Sequence, residues 1–272
     1  TQQLVEDILI NASCAGTENF VQSTGTDFAS VNGVGAFNAN GSNFPFQGGV
    51  VLSSGSVSTA PGPNLTTQSN GGAAWPGDTD LENFTGATAT NNASFIQFDF
   101  TPFTEQLSFD FLMASEEYNQ NFECTFTDAF AFILTDNDTG TSVNLAVLPG
   151  TNTPIEVTNI RPEVPNNCAA VNEEFFGQYN FLPFNDENTA ATNFNGQTVE
   201  LTASTTVVPG NSYTIKLVVA DQTDSLFDIA VFIEAGSFNV TNTDLGEDLL
   251  VENGLASCEG DPVTLDATDP DA

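Results

Sequence analysis

Between Leu107 and Leu134 apolar residues recur at every second position on both sides of an acidic break: Leu107, Phe109, Phe111 and Met113 before it, Phe130, Phe132 and Leu134 after it. A period of two is the mark of a strand with one buried face, and a helix of 3.6 residues per turn cannot keep such a set on one side. Two strands therefore bracket a loop that carries Ser115-Glu116-Glu117-Tyr118 and ends at Asp128. The alternation returns at Ile96, Phe98 and Phe100, and at Tyr213, Ile215, Leu217 and Val219. Asp136–Gly140 has the composition of a hairpin turn joining Phe130–Leu134 to Ser142–Leu148. Further strands are expected at Thr198–Leu201 and Asp228–Phe238. The expected fold class is all-β, a jelly-roll-like β-sandwich with long loops.

The remaining segments fit around that frame. Leu4, Val5, Ile8 and Leu9 have helical spacing, so residues 4–10 are expected as a short helix docking an apolar face. The glycines between Asn32 and Gly55 match no nucleotide fingerprint and no Lys follows them, which leaves strand and turn punctuation. Residues 56–92 read as a long structured loop, with Trp75 beside Asp78 and Asp80. Residues 151–195 read as an irregular excursion pinned by Cys168. Composition changes at Asn239, which places a sandwich domain at 1–240. Residues 241–272 are then a linker and the first strands of an incomplete immunoglobulin-like or PKD-like β domain.

Charge removes several classes of function. The chain of 272 residues has 36 acidic side chains against two basic ones, Lys216 and Arg161, so nucleic acid and anionic membrane are poor partners. Histidine is absent, which excludes His-based catalysis and His-ligated zinc. High net charge alone would suggest disorder, but 40% of the residues are apolar and only 14% charged, enough to fold. Such a surface also suits salty water, where screening relieves self-repulsion. Phe, at 24 residues, is the main core filler. The four cysteines form no CxxC pair, which argues against zinc and for an oxidising, extracellular setting. Cys124 and Cys168 are the preferred disulfide, since each lies in a loop of the central region. Cys14 and Cys258 stay open, a partner beyond Ala272 being one option for the latter. No signal peptide and no apolar run of membrane-spanning length is present, and the chain reads as already processed.

A hard cation held by oxygens, calcium before magnesium, is the metal such a chain would take. Four segments offer carboxylates: Asp78 and Asp80; Glu116 and Glu117; Asp128; and Asp221, Asp224 and Asp228. None has EF-hand spacing. Singly, each acid is as well explained by a solvated face or an N–H cap. Together, acidic loops flanking apolar strands repel one another unless a cation bridges them. Glu116 and Glu117 as a glycosidase pair would need carboxyls opposed across roughly 5–10 Å, whereas neighbours on a strand point to opposite faces. Lys216, in a strong strand pattern, is expected to pair with a carboxylate. Trp75 and Tyr118 either stack on sugar rings or fill the core.

The runs Gly33–Phe37, Phe44–Phe46, Gly49–Gly55, Gly62–Asn64, Gly77–Leu81, Phe98–Phe100, Ala114–Tyr118, Asp128–Phe132, Ala220–Asp221 with Asp224 and Asp228, and Phe232–Phe238 occur in an order that resembles the choice-of-anchor L domain, over roughly Leu4 to Phe238. The resemblance implies a large secreted bacterial surface protein, commonly of Bacteroidetes. Such proteins often carry immunoglobulin-like or PKD-like repeats, a type IX secretion signal and attachment to the outer membrane through downstream regions. The expected function is a non-enzymatic, calcium-stabilised adhesin or filament module at the cell surface. Its expected partners are a surface glycan or protein, neighbouring copies, or other cell-surface proteins of attachment and gliding. A lectin-like carbohydrate-binding domain is the first alternative and a glycoside hydrolase the second.

Overall fold

The computed structural model describes residues 1–10 and 16–240. Twelve strands form two antiparallel sheets: β1 (Gly16–Ser23), β2 (Val34–Asn38), β3 (Gly48–Ser53), β4 (Thr90–Thr101), β5 (Gln106–Ser115), β6 (Ala129–Asp136), β7 (Thr141–Asn144), β8 (Phe176–Tyr179), β9 (Gly196–Thr198), β10 (Leu201–Thr206), β11 (Tyr213–Gln222) and β12 (Ile229–Glu234). The first sheet runs β1-β4-β11-β6-β7. The second runs β2-β3-β12-β5-β9-β8, with β10 also pairing with β5. Within them, β4-β11-β6-β7 and β3-β12-β5-β10 are the two four-stranded layers of a jelly roll, in which the chain crosses between sheets at nearly every connection.

The alternating residues meet as expected. Phe98, Phe100, Phe130, Phe132, Ile215, Leu217 and Val219 of one sheet face Val50, Leu52, Phe109, Phe111, Met113, Val231 and Ile233 of the other in one buried core. Phe132 contacts both Phe109 and Phe111 edge-on, at centroid distances of 5.0 and 4.9 Å. The outer faces are covered too. Leu81 lies over Ala93, Ala131, Ile133 and Val218 of the first sheet. Phe44, Phe46, Ala60 and Phe194 lie over Val51, Leu112, Ala114 and Phe232 of the second. Strands buried on both faces lose the polar half of their alternation, which is why Ala129–Leu134 and Ile229–Ile233 read as unbroken apolar runs.

Leu81 belongs to α1 (Thr79–Thr85), within the segment expected as loop. Its ends are fixed by Asp78, whose carboxylate accepts from the Leu81 N–H at 2.9 Å, and by Gly86 at φ 80°. The short N-terminal helix is present as a π-helical segment, Leu4–Ile10, that buries Val5 and Leu9. Trp75 and Tyr118 are core residues, 2% and 0% exposed, and neither can stack on a sugar. The Trp75 indole N–H donates to the Ala93 carbonyl at 2.7 Å and the Tyr118 hydroxyl to the Ile160 carbonyl at 2.8 Å.

Cys124 and Cys168 form the expected disulfide, with a Cα–Cα distance of 5.7 Å, tying the loop after β5 to the excursion before β8. It closes 44 residues of chain. Replacing both cysteines by Ser is expected to cost about 2–4 kcal/mol in reversible denaturant unfolding, chiefly by freeing the unfolded chain. An unchanged midpoint would show that the excursion is held without it. Cys14, Cys258 and the expected partial domain at 241–272 lie outside the described residues.

Candidate functional site

Strand parity sorts the acids at one end of the sandwich. On β5 the odd residues Leu107 to Met113 face the core; past Ser115 the chain turns, and Glu116 and Glu117 lie in that turn, Glu116 beside Asp228 and Glu117 beside Asp128 and Asp224. Asp128 continues the inward row of Phe130 and Phe132, and Asp221 that of Leu217 and Val219, where β11 shifts register against β4. Asp228 precedes Ile229 and falls, like Glu116, on the outward side. All five carboxylates are buried.

The outward pair is fully engaged. Glu116 accepts from the Gln68 N–H at 3.0 Å and from the Asn195 side-chain amide. Asp228 receives the Asn70 N–H at 2.9 and 3.0 Å on its two oxygens. The Asp228 N–H in turn donates to the Gln68 carbonyl at 3.0 Å. These two acids therefore clamp the loop around residues 66–70 onto the second sheet. Gly55 packs so tightly on Asp228 that an added Cβ would overlap its carboxylate, so the site needs Gly there.

The inward trio is different. One oxygen of Glu117, one of Asp128 and both of Asp221 are buried without a hydrogen-bond partner. The other Asp128 oxygen accepts from the Gln222 N–H at 3.2 Å. The Ser54 hydroxyl lies close enough to Asp221 to oppose the effect of burial, but does not reach hydrogen-bond geometry with either oxygen. Burial, followed by the charge of Asp224, pushes Glu117 up to about 8. Burial, then Glu117 and Asp221, pushes Asp128 well above the usual carboxylate range, and burial with Asp228 does the same to Asp221. In the outward pair, burial lifts Glu116 to about 8 and Asp228 to about 6. Neither basic side chain relieves this. Arg161 makes no ion pair among the described residues, and Lys216 is committed elsewhere.

Lys216 points outward from β11 and holds Asp78 at 2.6 Å and Asp80 at 2.7 Å, with Phe95 beneath its ammonium at 4.8 Å. The structure thus gives Asp78 and Asp80 a structural task on the outer face of the first sheet and does not bring them to the inward trio. Asp224 stays exposed at the loop tip, where its carboxylate accepts from the Leu226 N–H at 2.9 Å. Among the described residues no group of three or more His, Cys, Asp or Glu side chains is arranged to cage a metal ion as it stands.

Sequence reading missed the roof of this site. Phe122 lies 5.7 Å from Phe126 and 5.3 Å from Phe227, and Phe126 and Leu226 are about half exposed, forming an apolar shelf over the acidic loops. Gln120, Asn121, Thr223 and Phe227 hold positive φ in the two loops that carry it. Strained non-glycine residues of this kind gather at binding sites because the surrounding structure has to enforce them. The available signal was aromatic residues inside acidic loops. A second feature, a concavity of about 660 Å³, opens on the outer face of the second sheet over Phe37, Phe44, Val51 and Phe232, with Asn38, Asn40 and Ser42 at its rim and no charged side chain in its lining.

Fold and loop end together describe a disulfide-tied jelly-roll module whose loops carry an aromatic shelf above buried acids. The chain belongs to the choice-of-anchor L domain family, whose model matches residues 1–239. Among curated proteins and solved structures nothing matches it. The family is one of surface-anchoring domains and is not a known enzyme family. No helix of the described residues is long and apolar enough to cross a membrane.

Proposed function

We propose that this chain is an extracellular attachment module of a longer surface protein, an adhesin or filament domain that makes contact through its loop end. The observation that carries this reading is the shelf of Phe122, Phe126 and Phe227 standing beside the disulfide on strained loops. Exposed aromatics on a rigid base supply contact area at low entropic cost. Calcium belongs to the same reading, as the element that holds the acidic loops beneath the shelf. The boundary at residue 240, with a further β domain after it, and a route through type IX secretion complete the proposal.

A carbohydrate is the ligand class favoured by a second observation, the uncharged concavity over Phe37 and Phe232. In a chain with 36 acids, a lining free of charge suits a neutral ligand. Hydrolysis is disfavoured because Glu116 is occupied by Gln68 and Asn195.

Phe126→Ala tests the attachment reading. The side chain is about half exposed, so stability should change by no more than about 0.5 kcal/mol. Retention on whole cells or on copies of itself should fall at least tenfold, whereas glycan held in the concavity of the second sheet should be retained as before. Unchanged retention on both cells and copies would remove the shelf from the function.

A further inference from the structure

We propose that Glu117, Asp128 and Asp221 form a divalent-cation site, selective for calcium over magnesium, at the end of the core between the two sheets. This rests on reading the loop end as cation-held, and it narrows eight candidate acids to three. Glu116 and Asp228 are not ligands, because their oxygens already hold Gln68, Asn70 and Asn195. Asp78 and Asp80 are not, because Lys216 holds them on the outer face. Asp224 is exposed at the loop tip and receives the Leu226 N–H. That leaves the trio, which holds four buried oxygens without a partner.

The decisive side chain is Asp221. It is 0% exposed, both of its oxygens lack a donor, and it sits among Asp228, Glu117 and Asp224. A buried polar atom without a partner in a native fold calls for an ion, a water or a proton. Three inward carboxylates from three different strand ends, with no basic side chain beside them, match a cation better than separate protons. One ion discharges all three repulsions at once. Because no three side chains close on one point as they stand, an ion here is held directly by two carboxylates and completes its shell with backbone carbonyls and water. Calcium tolerates such an irregular shell of about 6–8 oxygens, whereas magnesium requires a near-ideal octahedron. The site joins the ends of β5, β6 and β11, so its occupancy fixes the loops that carry Phe122, Phe126 and Phe227.

The test uses the whole chain stripped with chelator, then titrated with calcium chloride, magnesium chloride or sodium chloride at matched ionic strength. Calcium should raise the melting temperature by about 5–10 °C at a hundredfold excess over its dissociation constant, and magnesium by less than half as much. Binding at pH 7 should also release protons, read by calorimetry in buffers of different ionisation enthalpy. Exposed surface acids are already ionised at that pH and release none. Asp221→Asn should melt higher than the wild type in chelator, since one buried charge is gone, and should lose the calcium response. Exposed Glu18→Gln should keep it. If Asp221→Asn fails to accumulate, Asp128→Asn carries the same expectation. Equal melting of stripped and calcium-loaded wild type overturns the site, as does a full calcium response in both variants of the trio. Neither readout uses a shelf ligand, so failure here leaves the attachment reading standing, and failure of Phe126→Ala to weaken retention leaves the site standing.

Discussion

In the presence of chelator the protein is expected to become more stable as the pH falls from about 8 to about 5.5, opposite to ordinary acid unfolding. Glu116 and Glu117 are raised from 4.5 to about 8 in the fold, and Asp228 from 3.8 to about 6, with burial the first cause in each. Asp128 and Asp221 are raised in the same direction. A carboxyl whose folded value lies above its unfolded value binds more protons in the native state. Its contribution is therefore present below about 4.5 and lost as the pH climbs towards about 8. For the two glutamates this amounts to about 5 kcal/mol over the interval, or 10 °C or more in melting temperature for a domain of this size. Relief of the overall charge of −34 acts in the same direction but over the whole surface. Glu117→Gln separates the two effects: it should remove about half of the two-glutamate contribution to the pH profile while leaving the surface charge almost untouched. A profile that falls on acidification from pH 8, or one that Glu117→Gln leaves unaltered, would refute the account of the cluster.

Lys216→Met is expected to destabilise the fold by about 3–5 kcal/mol, although Lys216 makes only one cluster of contacts. The side chains of Lys216 and Asp78 are 11% and 10% exposed, and Asp80 is largely in solvent. Removing the ammonium leaves the largely buried Asp78 carboxylate without a counter-charge. Breaking such a pair costs more than the pair itself contributes. Asp78→Asn in the same chain should recover most of the loss. Asn caps α1 as well as Asp does, and no uncompensated charge then remains. Thermal unfolding of the single and double variants measures this, and a double variant no better than Lys216→Met would place the cost in lost packing on Phe95.

Both expectations depend on which carboxylates meet, and that was only partly legible in the chain. Phe98, Phe109, Phe132 and Leu217 announced their strands and their buried face by parity alone, because a strand fixes side-chain direction locally. The disulfide was legible from the position of Cys124 and Cys168, each in a loop of the central region. α1 was not, since its seven residues between Pro76 and Gly86 offer only about two turns of pattern. Its signals were a capping Asp78 and a closing Gly86 rather than periodicity.

The acidic set shows the division most clearly. Sequence by itself determined that apolar strands with one buried face flank the acidic loops, and that two basic residues cannot neutralise 36 acids. The tertiary structure alone decided the partners. Asp78 and Asp80 follow Trp75 in the chain and read like the other acids, yet the outward parity of Lys216 on β11 draws them to the far face of the sheet. Glu116 and Asp228, 112 residues apart, meet over Gln68 because β12 pairs with β5. Parity is set within a strand by covalent geometry, whereas the meeting of loops is set by the order in which a jelly roll lays its strands side by side, which no local pattern carries.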